Sequence, residues 1–292
     1  MRREYAPRPE GTMADLWAQL REHRAVLWIT TVAAWSHMHY LIHGPPAHLL
    51  VLPGLAFAVF FVVPLFATVW HDSRDQAARA LATVAAGFAL WPALIWGHAD
   101  NGRQLLKADA SPAVIGAGVG TALVLMAMAR GGVKPGDWGL SAGDLGWWWK
   151  PVGGLLLLIV VGMPVVCWLF PEFAAYYPRY KPGRTDLVAL LQYQLAMGAY
   201  MFCWEFFFRG FMLFGLRKPL GDLSANLLQA SPFFLLHHAK PEAELISSWF
   251  GGLLMGWLCL KARCMWPSFL LHWVLYSSME LNAYWVRQLA NG

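Results

Sequence analysis

The chain has 292 residues, of which 58% are apolar and only 13% charged, where a soluble domain carries about 25% charge. That balance excludes an ordinary soluble enzyme and reads as an all-α, polytopic membrane bundle of about eight to nine transmembrane helices. Net charge is +5, but Lys and Arg fall in the loops between apolar runs, so they report topology and point to no nucleic acid. Residues 1–24 are polar and predict a cytoplasmic segment with a short amphipathic helix lying on the membrane. Apolar segments at 25–43, 47–70, 77–97 and 111–130 then predict an N-terminal accessory bundle over 25–130. The first of these carries His37, His39 and His43, and His48 follows Pro45-Pro46 just beyond it. His39 and His43 share a face and could hold a haem or metal, but His43 falls at the segment end and no partner histidine pair occurs elsewhere, so the set reads as interfacial imidazoles.

Residues 131–150, rich in Gly, Pro and Asp, read as a linker loop ending in Trp147, Trp148 and Trp149, an interfacial anchor. Five further apolar segments, at 150–171, 186–208, 223–239, 244–262 and 265–286, predict a second bundle over 151–292, which holds the residues that could carry chemistry. Counting Lys and Arg on alternate sides gives fourteen against seven for a cytoplasmic N-terminus and an opposite C-terminus. Cys167, Cys203, Cys259 and Cys264 lie in or beside apolar runs without paired spacing, as small buried hydrophobes do.

Chemistry concentrates between Tyr200 and Pro241. Two apolar arms flank a polar turn at Gly221, and Glu205 and His237 each lie sixteen residues from it. Helical arms would put both groups ~24 Å from the tip, at one depth. Glu205 and Arg209 are four apart and share a face, and a third segment adds His272. An acid, a guanidinium and two imidazoles are costly in hydrocarbon, which makes them a functional-site hypothesis. A carboxylate with imidazoles can activate water, and His237 with His272 could also hold zinc or another divalent metal beside an open position. The bland alternative is an intrahelical Glu205–Arg209 pair with histidines bonded to backbone carbonyls.

The segments WEFFFR (Trp204–Arg209), Phe233-x-x-x-His237 and the late His272 resemble the motifs of the CAAX-protease and bacteriocin-processing family, also called CPBP or Abi. That family's pattern runs E-E-x-x-x-R, F-x-x-x-H, then H-x-x-x-N or D. The resemblance implies a glutamate-dependent intramembrane endopeptidase in which Glu205 matches the second glutamate. Trp204 stands where the first glutamate, assigned to water activation, would be, and Tyr276 stands in the Asn or Asp position. Tyr276 can still donate to an oxyanion. Glu244, beyond His237, is a substitute acid, with the acidic first turn of the next helix as its alternative role. The expected activity is hydrolysis of a peptide bond in a membrane-anchored or lipid-modified substrate, of CAAX or C-terminal sorting-tail type, with membrane lipid as the surroundings. The expected location is a bacterial inner membrane. A non-catalytic scaffold or immunity protein of the same fold is the alternative.

Overall fold

A computed structural model describes residues 134–237 and 240–291. The expected N-terminal segment, the accessory bundle and the histidines of the first apolar run lie outside these residues. Among the described residues every regular element is helical, in the order α1 (Leu145–Leu169), α2 (Pro171–Tyr176), α3 (Leu187–Glu205), a π-helical stretch (Phe206–Leu213), α4 (Phe214–Leu235), α5 (Glu242–Ala262) and α6 (Trp266–Asn291). The spans Leu145–Leu169, Leu187–Leu213 and Glu242–Ala262 are long and apolar enough to cross a membrane. The sequence suggested five in this half of the chain. The two others differ for physical reasons. α4 is broken at Gly221, whose φ of 79° and ψ of 165° no helix accommodates. α6 has the length but carries Ser268, His272, Ser278 and Glu280 inward, all buried, and these lower its hydropathy.

Among the described residues α1 is the peripheral helix. Only 17% of its most apolar window is buried, and Leu157, Leu158, Val161, Val165 and Trp168 face outward, as side chains bathed in lipid acyl chains would. Its start is tied down rather than left as a free linker. Asp144 caps the helix by accepting from the Trp147 N–H, at 3.2 Å, and its own N–H donates to Ala262 O, at 2.8 Å. Indole N–H groups of Trp148 and Trp266 bind Ala142 O and Ser141 O, each at 3.0 Å. The lead-in loop is thus laced to the α5–α6 turn, and the helix begins at Leu145, inside the expected linker.

Three close approaches set the rest. At Gly198 of α3 a Cβ would lie 2.7 Å from the Trp273 ring of α6. Gly252 and Gly256 of α5, four apart, face α4 at Phe233 and Asn226, the small-xxx-small contact that lets membrane helices come close. α3 opens on Asp186, whose carboxylate accepts from Val188 and Ala189 N–H groups. The chain then runs through the π stretch to Gly221 and folds back, so α3 and α4 bring their polar residues to one interior space facing α6.

Candidate active site

Glu205 is the last residue of α3 and Arg209 lies in the π stretch that follows. π-Helical turns are uncommon and are found disproportionately at functional sites. Both side chains have no exposed surface, and an Arg209 terminal nitrogen sits 3.0 Å from the carboxylate. The guanidinium lies over the Phe233 ring, 4.1 Å from its centroid, and reaches toward Gly252 O of α5 at 3.5 Å. α6 supplies two more donors from residues four apart. The Ser268 hydroxyl donates to Glu205 Oε2, and His272 Nδ1 lies 2.5 Å from Oε1. Three donors from two elements thus converge on one buried carboxylate.

His237 follows the last turn of α4, and its Nδ1 is 2.7 Å from Phe233 O. A carbonyl only accepts, so Nδ1 carries the proton and, in the neutral ring, Nε2 carries the lone pair. The same reasoning applies to His272, whose Nδ1–H faces a carboxylate. The two rings are 6.3 Å apart at an interplanar angle of 30°. Phe233 packs against both, at 4.6 Å and 5.5 Å. Glu205, Arg209, His237 and His272 therefore meet at one place, His237 and His272 with only 6% and 8% of their surface exposed. Trp204, where the resembled pattern has its first glutamate, is buried against Phe208, Phe233 and, at 6.4 Å, His237.

Glu244 and Tyr276 belong to a neighbouring cluster. Glu244 accepts from the Tyr177 hydroxyl, at 2.8 Å to one oxygen, and pairs with Lys240 at 3.2 Å. Its place in the first turn of α5 is the helix-opening role the sequence left open. The Tyr276 hydroxyl is 3.1 Å from that of Tyr193. Buried Glu280 accepts from the Arg179 backbone N–H at 3.1 Å. Burial and the adjoining Glu244 carboxylate push the Tyr177 phenol well above its ordinary range, so it acts as a donor.

As for a metal, no group of three His, Cys, Asp or Glu side chains among the described residues is placed to hold one. A hydrolytic zinc site needs three protein ligands and an open position. Here two imidazoles are available, while the nearby carboxylate is engaged by arginine, serine and histidine donors. The donor set does not fit such a site.

Sequence reasoning passed over Ser268, although its spacing of four from His272 puts it on the same face of α6. It also passed over Tyr177, Tyr193, Lys240 and Glu280, whose partners lie 63 to 101 residues away in sequence.

Residues 187–277 match a family model described as type II CAAX prenyl endopeptidase Rce1-like. The matched stretch holds Glu205, Arg209, Phe233, His237, His272 and Tyr276. The stretch is similar to that family, the same CAAX-protease family that the motifs resemble. Together with the three helices long and apolar enough to cross a membrane, the similarity supports an integral membrane protein. Neither a curated protein nor a solved structure matches the chain.

Proposed function

We propose that the protein is an intramembrane endopeptidase that hydrolyses a peptide bond in a prenylated or otherwise membrane-anchored substrate. The observation that carries this reading is the pair of facing imidazoles, each with Nδ1 committed: His272 to Glu205 at 2.5 Å and His237 to Phe233 O at 2.7 Å. Both rings then offer an Nε2 lone pair. One water molecule can donate a hydrogen to each, which leaves its oxygen lone pair for the substrate carbonyl carbon.

His272 is the general base in this reading. Its Nδ1–H faces the Glu205 carboxylate, so the imidazolium formed when it takes the water proton is stabilised, as in carboxylate–histidine pairs generally. His237 orients the water. The C–O bond forms, the carbonyl electrons move to oxygen, and the C–N bond breaks as the imidazolium returns its proton to the leaving amine. Tyr276, one turn along α6 from His272, has its hydroxyl engaged by Tyr193 in the neighbouring cluster and is given no part in the step. Glu244 has no part in the step, since Tyr177 and Lys240 already hold its carboxylate. No step passes through a metal.

A second reading, a membrane scaffold that binds lipidated peptides without cutting them, is favoured by one observation: the indole of Trp204 against His237. Proteoliposomes containing the wild type, His237→Gln or His272→Gln, given prenylated and unprenylated tail peptides, separate the two. The endopeptidase reading expects a shortened peptide from wild type and a rate at least about 100-fold lower for each variant, the scale of a lost general base. Binding of the prenylated peptide with no cleavage by wild type would make the scaffold reading correct.

A further inference from the structure

We infer that Lys240 is a positioning residue for His237, held in a cage of three tyrosines; this rests on the endopeptidase reading. His237 lies beyond the last residue of α4 and before the first of α5, so no helix fixes it from both sides. The Nδ1 contact to Phe233 O and packing against Trp204, Phe233 and His272 hold the ring locally. The backbone is held through the turn, where the Lys240 N–H donates to His237 O at 3.0 Å. Where Lys240 sits therefore bears on where the imidazole sits.

Lys240 is held from several directions. Its ammonium is 3.2 Å from Glu244 and 3.0 Å from the Tyr177 hydroxyl. The rings of Tyr176, Tyr177 and Tyr276 surround it at 5.5, 5.3 and 5.5 Å, within the range where an aromatic face attracts a cation. Its side chain is only 8% exposed. The cage draws on three elements. Tyr176 and Tyr177 come from the end of α2, Glu244 from α5, and Tyr276 from α6, one turn from His272. The α2 end is itself fastened, by Arg287 of α6 donating to Tyr177 O at 3.2 Å and by the Arg179 N–H on Glu280. The cage thus refers the turn bearing His237 to the helix bearing His272, and the spacing of the two imidazoles follows from it. Geometry of this kind matters because a displacement of about 1 Å can cost about 100-fold in rate.

A structural ion pair would account for the contacts but not for the consequences expected here. Lys240→Met keeps the stem and removes the charge. It should lower kcat on the order of 10- to 100-fold with KM within about twofold, and Lys240→Arg should recover part of the loss. Lys240→Met with Glu244→Gln removes the orphaned carboxylate as well. That double variant should melt near the wild type in detergent yet keep the low kcat. A double variant with wild-type kcat would overturn the inference, as would a Lys240→Met change confined to KM. If the wild type itself cuts no peptide, the endopeptidase reading fails separately. The positioning claim then stands on diethyl pyrocarbonate modification of His237, read by mass spectrometry. Faster modification in the double variant is expected, and an unchanged rate overturns the inference.

Discussion

Replacing Glu205 with Gln tests the site most directly, and the structure changes what should be expected of it. From the sequence, Glu205→Gln looks nearly isosteric and silent for stability while abolishing cleavage. In the fold, Arg209, Ser268 and His272 all donate to a carboxylate with no exposed surface. A glutamine keeps one acceptor oxygen and turns the other into an NH₂ donor, which must face one of those donors. It also strips the buried Arg209 guanidinium of its counter-charge. Breaking one side of a buried ion pair costs about 3–5 kcal/mol, which for a chain of this size is a fall in Tm on the order of 10 °C. Thermal unfolding in detergent, followed by a dye that reports cysteine exposure, measures it. Glu205→Leu with Arg209→Met, removing both charges, should recover much of the loss while remaining inactive. A Glu205→Gln protein melting within about 2 °C of wild type would refute the claim that this carboxylate anchors the site.

Other outcomes follow from particular contacts. Gly256→Ala would place a Cβ 1.9 Å from Asn226 Oδ1, so it should melt well below wild type. Gly153→Ala, with nothing within 4 Å, should be neutral or stabilising by up to about 1 kcal/mol, measured in the same assay. Ser268→Ala removes one of the three donors to Glu205. It should cost about 1 kcal/mol and lower turnover several-fold, less than any change at Glu205. The distribution of Lys and Arg predicts that single cysteines at Ser73 and Asn291 label from opposite sides of the membrane. Labelling from one side would mean an even number of spans between them.

The hairpin was legible because its signals are local: a polar turn at Gly221 between apolar arms, with Glu205 and His237 equidistant from it. Gly221 does adopt the positive φ that such a turn needs. The ion pair at spacing four was legible for the same reason. The π stretch was not, since no residue in FFFRGFML marks a change of helix type. The Gly252–Gly256 contact was readable as a small-xxx-small pattern, but an apolar run hides it. α6 shows the opposite difficulty. Its hydrophobicity suggested a simple span, whereas alternate turns place polar groups toward the interior, which composition averages away. The tyrosine cage joins residues from α2, the His237 turn, α5 and α6, and no local pattern announces such a meeting.

The tryptophan at 204 makes sense once the two sides of the site are distinguished. Successive helical residues point about 100° apart, so positions 204 and 205 cannot serve the same imidazole. Glu205 faces α6 and holds His272, while Trp204 faces α4 and lies against His237. In the resembled pattern both positions are acidic. Here the His272 half keeps its carboxylate and arginine and has Ser268 as a further donor, while the His237 half has an aromatic wall. The change therefore spares the buried charge pair on which packing depends and alters only what His237 meets. In the proposed reading, with no acid at 204, the carboxylate-backed His272 serves as the proton acceptor and His237 aims the water. Its aim then depends on a turn outside any helix, which is why the caged Lys240, rather than an acid at 204, becomes the residue on which the reading turns.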